Sequence, residues 1–202
     1  MKNDLPTLDW QKDSNGLLPA IIQDAETGQV LMLGYMNEEA LRVTVETRCI
    51  TFYSRSKKRL WKKGESSKNT LKVVSVATDC DADALLIRAT PDGPTCHTGE
   101  RSCFKGKELP LETLGLLIRI IRDRSKSGST KSYTKQLLDG GIEAYGMKVL
   151  EEAEEVVRAA KQEGKKRTIE EATDVLYHLL VLLRGEDIEL EEIADELRRR
   201  QR

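Results

Sequence analysis

Residues 105–110, Lys-Gly-Lys-Glu-Leu-Pro, separate two parts of the chain that follow different hydrophobic patterns. Before this segment, short runs rich in β-branched residues alternate with turn signals, as is typical of strands. After it, apolar residues recur at the three- and four-residue spacing of amphipathic helices. A strand-rich part followed by a helix-rich part indicates two domains rather than one mixed sheet. We therefore predict an α+β protein with a β-rich domain over residues 1–107 and an all-α domain over residues 108–202.

The individual elements follow from the same patterns. We expect strands at Ala20–Gln23, Gln29–Met36, Ile50–Ser54, Leu71–Ala77 and Ala84–Ala89. We expect helices at Ala40–Glu46, Leu111–Arg124, Tyr133–Gln162, Thr168–Arg184 and Leu190–Arg200. Asn37 is the predicted N-cap of the first helix. Gly140-Gly141 is expected to break the third helical stretch, and Ser125–Ser132 is expected to be a polar loop.

The composition narrows the class of protein. The net charge of −1 argues against general binding to nucleic acid or to a membrane surface. No apolar run reaches transmembrane length, and the N-terminus lacks the apolar core of a signal peptide, so we expect a cytoplasmic location. In that compartment the four cysteines are expected to be metal ligands or free thiols rather than disulfides.

The run Asp79-Cys80-Asp81-Ala82-Asp83 is a candidate metal site. On an extended strand, Asp79, Asp81 and Asp83 would project from one face and Cys80 from the other. Three carboxylates on one face repel one another, and their oxygens are suitable ligands for Mg²⁺. The alternative is an acidic surface strand beside a buried thiol.

Three cysteines suggest a second metal. Cys80, Cys96 and Cys103 are separated by fifteen and six residues, which is not the spacing of paired ligands in a zinc ribbon. Three protein ligands would leave a tetrahedral zinc one open position, as in catalytic sites, where the pKa of bound water falls to about 7. His97 is a candidate to accept a proton from that water, although a lone histidine is more often structural. Cys49 is interpreted as a small core residue.

A basic segment surrounds Trp61 and leads into a polar one. Cations, hydroxyls and an amide near a flat ring suit a phosphorylated nucleotide, whereas the alternative is a solvated charged face. The candidate substrate-binding residues of this segment are Arg55, Arg59, Trp61, Lys63, Glu65, Ser67 and Asn69.

Taken in order, these motifs resemble phosphoribosyl-AMP cyclohydrolase of histidine biosynthesis over about residues 10–105. The matching motifs are Gly34-Tyr35-Met36-Asn37, Arg59–Glu65, Asp79–Asp83, Gly93–Gly99 and Ser102-Cys103-Phe104. The resemblance implies that zinc-activated water opens the adenine ring of phosphoribosyl-AMP between N1 and C6. It also implies a homodimer in which both chains supply the zinc ligands Cys80, Cys96 and Cys103. Lys68 departs from the family, which usually has glycine there.

Carboxylates also share helix faces in the second half. Glu151, Glu152 and Glu155 fall within an arc of about 100°. The apolar residues opposite them are expected to face the core; they are Leu150, Ala153, Val156, Val157 and Ala160. On the next helix Glu171, Asp174 and His178 share one face. Antiparallel packing of the two helices would bring these carboxylates together around Mg²⁺, whereas the alternative is two ordinary charged faces.

This carboxylate pattern resembles the all-α, MazG-like nucleotide pyrophosphohydrolases. Ser132-Tyr133-Thr134, Lys148-Val149, Glu151-Glu152 and Asp174–Leu180 are similar to phosphoribosyl-ATP pyrophosphatase. The resemblance implies release of pyrophosphate from phosphoribosyl-ATP, with Lys148 binding substrate. The implied Mg²⁺ ligands are Glu151, Glu152, Glu155, Glu171 and Asp174. The product would be the substrate of the first domain, which explains one chain with both activities. Leu150 replaces the glycine common in that family.

Two other functions are compatible with parts of the pattern. One is a zinc-stabilised interaction module fused to a helical dimerisation domain, and the other is a general nucleotide pyrophosphatase with a degenerate first domain. The cysteine spacing argues against the first, and the complete set of aspartates and cysteines argues against the second. The four helical segments of residues 108–202 are too few to bury all of their apolar faces in a monomer, so we expect at least a dimer.

Overall fold

The computed structural model describes residues 7–126 and 132–201. The chain divides into two compact units, Met1–Gly115 and Leu116–Arg202. The first half contains β1 (Leu18–Asp24), β2 (Val30–Met36), α1 (Glu38–Thr47), β3 (Thr51–Ser54), β4 (Arg59–Lys62), β5 (Leu71–Thr78) and β6 (Leu85–Pro91). The second half contains α2 (Pro110–Lys126), α3 (Tyr133–Asp139), α4 (Gly141–Gln162), α5 (Lys165–Gly185) and α6 (Leu190–Arg200). The predicted α+β class, strands before helices, is confirmed.

A four-stranded sheet with the order β2-β1-β6-β5 forms the centre of the first unit. β1 pairs with β2 in antiparallel orientation and with β6 in parallel orientation, so that Ile22 lies between Met32 and Ile87. The inward side chains of β1 alternate regularly, and Leu18, Ala20 and Ile22 are all buried. The Asp24 carboxylate accepts hydrogen bonds from the backbone of residues 26 and 27, which fixes the turn into β2.

Helix α1 begins as the sequence predicts. The side chain of Asn37 accepts a hydrogen bond from the backbone N–H of Ala40 at 2.9 Å, and Glu38 and Glu39 lie in the first turn. Ala40 and Leu41 are buried in the core of the first unit. The helix ends at Arg48, which has left-handed backbone geometry with a φ of 54°.

Strand β4 was not predicted from the sequence. It pairs with β3 in an antiparallel hairpin, and Trp61 lies opposite Phe52 with the two rings stacked 5.6 Å apart. The strand has only four residues, and a cation at each end leaves an apolar run of two residues, which is too short to predict a strand. Phe52 of the hairpin is part of the core of the first unit, and Trp61 packs against that core.

The run Asp79–Asp83 is a turn between β5 and β6, so its prediction as an extended strand was wrong. The Asp79 carboxylate accepts hydrogen bonds from the backbone N–H groups of Asp83 and Ala84, at 3.0 and 3.1 Å. Ala82 has a φ of 62°, which an extended strand does not allow. Aspartate side chains that bond to their own backbone favour turns over strands, and this explains the difference.

The helices of the second half match their predictions within a few residues. Gly140 and Gly141 separate α3 from α4, and Gly141 has a φ of 70°. Helix α2 continues through Lys126, so the predicted loop Ser125–Ser132 begins later than expected, and residues 127–131 of that prediction lie outside the described residues. The core of the second unit contains Ile121, Leu137, Tyr145 and Val181. None of the helices in the described ranges is long and apolar enough to cross a membrane.

Helices α4 and α5 pack with their polar faces together, which overturns one expectation. Glu152, Glu171 and His178 are buried between them, at 9%, 2% and 5% exposure. The apolar face expected in the core is instead turned outward, and Leu150 and Val157 are 67% and 52% exposed. A helical wheel separates the two faces but does not tell which one packs inside the chain. Exposed apolar faces of this kind are typical of surfaces that contact another molecule.

Candidate functional site

A cavity of about 460 Å³ lies beside the β3–β4 hairpin in the first unit. The loop that follows β4 and the segment that follows β6 form its walls. Five of the seven predicted substrate-binding residues line it: Trp61, Lys63, Glu65, Ser67 and Asn69. His97, Cys96 and Cys103 line it as well. The fold therefore brings together residues that lie up to 42 positions apart in the sequence.

The segment after β6 presents the two thiols to this cavity. Cys96 and Glu100 close a tight turn through a 2.9 Å backbone hydrogen bond, and the backbone N–H of Cys103 bonds to Leu31 at 2.7 Å. The Thr98 hydroxyl donates to the Cys96 sulfur at 3.1 Å, and this bond lowers the pKa of Cys96, with a smaller effect from Cys103. Burial raises the pKa of Cys103, and Cys96 adds to that effect. The two sulfurs are therefore electrostatic neighbours.

Cys80 does not join this pair. It is exposed on the turn between β5 and β6 and is not among the residues that line the cavity. The metal-competent clusters found among residues 7–126 and 132–201 do not include the three cysteines together. Of the three predicted zinc ligands, one chain therefore brings Cys96 and Cys103 to the cavity and leaves Cys80 outside it.

Lys63 lies buried in the wall of the cavity. Its ammonium group is 3.4 Å from the backbone oxygen of Asn69, and only 6% of the residue is exposed. Desolvation lowers the pKa of Lys63, and the nearby Cys103 and Cys96 oppose that change. A buried cation beside two thiols favours anions in this space.

His97 and Thr95 flank Cys96 along the chain. The His97 Nδ1 atom is 3.8 Å from the Cys96 sulfur, and the imidazole is exposed. Thr95 is 3% exposed, and its hydroxyl has no hydrogen-bond partner within the described part of the chain. Thr95 lies within the motif Gly93–Gly99 but was not predicted as a site residue, because a threonine side chain is neither charged nor a typical metal ligand. A buried hydroxyl at a cavity wall suits a ligand that completes its hydrogen bonding.

The two remaining predicted substrate-binding residues of the first unit lie outside the cavity lining. The Arg55 guanidinium lies 3.8 Å from the centre of the Tyr35 ring. Arg59 forms an ion pair with Glu65 at 2.6 Å, which raises the pKa of Arg59 and lowers the pKa of Glu65. Arg59 and Glu65 therefore hold the loop after β4 in place, in addition to any contact with substrate.

The turn between β5 and β6 gathers the three predicted Mg²⁺ ligands. Carboxylate oxygens of Asp79, Asp81 and Asp83 lie within 4.8 Å of one another. Lys12 enters this cluster, with its ammonium 2.6 Å from Asp81 and 3.1 Å from Asp83. The two carboxylates raise the pKa of Lys12 well above its usual value. Lys12 was not predicted, because it lies 69 residues from Asp81 and carries no local signal.

Helices α4 and α5 form a second carboxylate cluster. Oxygens of Glu152, Glu155 and Glu171 lie within 4.8 Å of one another. Burial raises the pKa of Glu171, whereas a hydrogen bond from Arg158 lowers the pKa of Glu155. Arg167 contacts Glu171 from one turn away. A buried carboxylate beside two others favours a bound cation.

The other predicted ligands of the second unit lie at the border of this cluster. Glu151 is exposed and forms an ion pair with Lys148 at 2.8 Å. Asp174 is exposed and does not belong to the cluster in a single chain. His178 points its Nε2 atom toward Glu152 at 3.8 Å, and burial lowers the pKa of His178. The structure thus places Glu152, Glu155 and Glu171 at the centre and leaves Glu151 and Asp174 open to solvent.

Each half of the chain matches a known protein family. The family model of phosphoribosyl-AMP cyclohydrolase matches residues 32–105, and that of phosphoribosyl-ATP pyrophosphohydrolase matches residues 114–201. These ranges contain the candidate residues of the cavity and of both carboxylate clusters, whereas Lys12 lies before the first range.

Full-length relatives carry both halves in the same order. The histidine biosynthesis bifunctional protein HisIE of Xylella fastidiosa strain Temecula1 is 46% identical over 198 residues, which cover 98% of this chain and 95% of the relative. The protein of the same name from Salmonella typhimurium strain LT2 is 47% identical over 193 residues, covering 96% and 95%. That from Staphylococcus aureus strain COL is 50% identical over 187 residues, covering 93% and 88%.

Proposed function

Because the chain belongs to the family of bifunctional histidine-biosynthesis proteins, we propose that its two units carry out two consecutive hydrolyses. The chain is an enzyme with a phosphoribosyl-ATP pyrophosphohydrolase half and a phosphoribosyl-AMP cyclohydrolase half. The carboxylate cluster of α4 and α5 releases pyrophosphate from phosphoribosyl-ATP. The cavity beside β4 then opens the adenine ring of the resulting phosphoribosyl-AMP. The observation that carries this assignment is the grouping of Cys96, His97 and Cys103 with Trp61 and Lys63 around one cavity.

The donors of the cavity fit a zinc ion shared between two copies of the chain. Cys96 and Cys103 are electrostatic neighbours, and the lowered pKa of Cys96 favours its thiolate, the form that binds zinc. Cys80 of a second copy would supply the third thiolate, because Cys80 of the same chain is not at the cavity. When bound, zinc would activate a water molecule at neutral pH. The positive charge of Lys63 offsets part of the negative charge of three thiolates.

The protein groups of the cavity have distinct roles in ring opening. The Trp61 ring offers a stacking surface for the adenine, and Ser67 and Asn69 offer hydrogen-bond donors to phosphate oxygens. The Thr95 hydroxyl, which has no hydrogen-bond partner among the described residues, gains one from the substrate. His97 accepts a proton from the water that adds to C6 and returns it as the N1–C6 bond breaks. Arg55 lies outside the cavity lining, against the Tyr35 ring, so its predicted contact would be with a part of the substrate that extends past the cavity.

The aspartate turn fits Mg²⁺ even with Lys12 present. Three carboxylates and one ammonium leave a net charge of −2 at the turn, which suits a divalent ion. Bound there, Mg²⁺ would help to place the phosphorylated substrate. Asp79 keeps its backbone hydrogen bonds through one oxygen and has a second oxygen for the ion.

The carboxylate cluster of the second unit fits Mg²⁺ that holds a triphosphate. Glu152, Glu155 and Glu171 form the buried part of the ligand set, and Glu151 and Asp174 complete it when substrate binds. Magnesium would neutralise the charge that develops as pyrophosphate leaves. Lys148, held by Glu151 and Glu152, is placed to bind a phosphate oxygen.

Metal exchange tests the assignment of the two reactions to two sites. After removal of all metals by a chelator, Mg²⁺ alone should restore pyrophosphate release from phosphoribosyl-ATP but not ring opening. Zinc and Mg²⁺ together should restore ring opening of phosphoribosyl-AMP, which is measured by the change in absorbance. Full ring opening with Mg²⁺ alone in a zinc-free preparation would contradict the role of the cysteines.

A further inference from the structure

Three rings lie beside the carboxylate cluster of the second unit. Tyr133 at the start of α3 stacks on Tyr177 of α5, with ring centres 6.3 Å apart and planes at 16°. His178 meets both rings edge-on, at 5.9 Å from Tyr133 and 5.1 Å from Tyr177. We call Tyr133, Tyr177 and His178 the aromatic group. Aromatic pairs in these geometries attract one another beyond simple burial.

Hydrogen bonds next to the aromatic group fix the position of its rings. The hydroxyls of Thr134 and Tyr177 share a hydrogen bond of 2.8 Å, and Thr134 is fully buried. The Ser132 side chain accepts a hydrogen bond from the backbone of Lys135 and caps α3. Two consecutive residues, Tyr133 and Thr134, are thereby fixed relative to α5. A ring fixed in advance loses little conformational entropy when a ligand stacks on it.

Tyr133 remains accessible although its neighbours are buried. The residue is 47% exposed, whereas Tyr177 is half-buried and His178 is 5% exposed. The His178 Nδ1 atom is buried without a hydrogen-bond partner in the described ranges. The aromatic group therefore has an exposed ring that a planar ligand can stack on and, beside it, a buried nitrogen whose hydrogen bond is unmet.

The aromatic group is connected directly to the carboxylates. His178 lies 3.8 Å from the Glu152 carboxylate, which belongs to the cluster that would hold Mg²⁺. Lys148 pairs with the same carboxylate at 3.5 Å. A stacking ring, a cation and a metal-binding cluster side by side match the three parts of a nucleoside triphosphate: its base, its phosphates and their metal ion.

We infer that Tyr133 is the base-binding residue of the pyrophosphohydrolase site and stacks on the adenine ring of the nucleoside triphosphate substrate. Tyr177 supports the Tyr133 ring, and the Thr134 hydroxyl positions Tyr177. This inference rests on the proposed pyrophosphohydrolase function and adds the part of the site that recognises the base.

Steady-state pyrophosphate release by the full-length protein tests this role. Loss of a stacked ring weakens base binding by about 5- to 150-fold, so Tyr133→Leu should raise the KM for phosphoribosyl-ATP by that factor. Tyr133→Phe keeps the ring, so its KM for phosphoribosyl-ATP should lie within about 2-fold of the wild-type value. Inorganic tripolyphosphate has no base, so its inhibition constant should be the same in the wild type and in Tyr133→Leu.

Each outcome has a definite meaning. An unchanged KM in an active Tyr133→Leu enzyme would overturn the inference while leaving the pyrophosphohydrolase function intact. If Tyr133→Leu weakened tripolyphosphate inhibition as much as it raised the KM, the substitution would act at the carboxylates. If Tyr133→Leu dissociated in sedimentation, Tyr133 would be an interface residue. Either result would also overturn the inference. A wild-type protein that releases no pyrophosphate would contradict the proposed function itself.

Discussion

Lys12 illustrates how a single residue changes the properties of a predicted metal site. Its ammonium lies between Asp81 and Asp83, at distances typical of charge-assisted hydrogen bonds. The backbone N–H of Asp9 also bonds to Ala82 at 2.8 Å, so the segment around Lys12 is attached to the acidic turn. Lys12 would therefore compete with the proposed Mg²⁺ for the same carboxylates.

Removal of this competing charge should strengthen Mg²⁺ binding at the turn. In a Glu152→Gln background, which weakens the second cluster, Lys12→Met should raise Mg²⁺ affinity about 3- to 5-fold by isothermal titration calorimetry. The matched Lys12→Arg variant keeps the charge and should bind as before. No gain in Lys12→Met, or the same gain in Lys12→Arg, would show that the lysine charge does not compete.

Among the strands and helices, local patterns predicted most of the fold. Apolar runs on either side of a turn signal identified β1 and β2, and Asn37 gave the start of α1, because these signals depend only on neighbouring residues. Strand β4 was missed because charged residues flank its short apolar centre. The acidic run was misassigned because its side chains bond to its own backbone, and alternation does not report such bonds.

The candidate sites were predictable where a motif is contiguous. The residue types of Cys96-His97 and Trp61–Glu65 were enough to predict them as site residues, and the fold brings the two segments to one cavity. Thr95 and Lys12 were not predictable, since their importance comes from burial and from a contact across the fold. Which faces of α4 and α5 pack inside the chain was also not predictable, because an apolar stripe packs equally well inside a chain or between chains.

At Gly34 in β2, the backbone lies close to the aromatic ring of Phe52. A Cβ atom at Gly34 would lie 2.3 Å from the ring of Phe52, which is 1% exposed and stacks on Trp61. Gly34→Ala should therefore lower the free energy of unfolding by about 1–3 kcal/mol in urea denaturation. It should also raise the KM of ring opening, because displacement of Phe52 moves Trp61 at the cavity wall.

Gly106→Ala is the matched control for this substitution. Nothing lies within 4 Å of a Cβ atom at Gly106, so its stability and KM should equal those of the wild type. Equal stability of Gly34→Ala and Gly106→Ala would mean that Phe52 has room to move.

In the whole molecule, two observations point to assembly with a second copy. Cys80 lies away from the cavity that holds Cys96 and Cys103. In the second unit, α4 and α5 expose apolar residues on their outer faces, namely Leu150, Val157, Ile169, Leu176 and Leu179. The proposed homodimer would account for both features, because it would cover the apolar faces and share the zinc ligands between two chains.

Complementation between two inactive variants tests the shared zinc site. Cys80→Ser and Cys103→Ser should each lose ring opening. When the two variants are co-expressed, each mixed dimer regains one intact site. Random pairing makes half of the dimers mixed, so about a quarter of the wild-type ring-opening activity should return. A co-expressed mixture as inactive as its components would place all three cysteines in one chain's site.

The most direct test of two consecutive reactions at two sites is a time course with phosphoribosyl-ATP as the only substrate. Wild type should release pyrophosphate, pass through transient phosphoribosyl-AMP and accumulate the ring-opened product. Cys103→Ser should stop at phosphoribosyl-AMP with normal pyrophosphate release. Glu152→Gln should leave phosphoribosyl-ATP intact yet open supplied phosphoribosyl-AMP, whereas Glu154→Gln, an exposed control on the same helix, should keep both activities. Loss of both activities in folded Cys103→Ser or folded Glu152→Gln would contradict the two-site account.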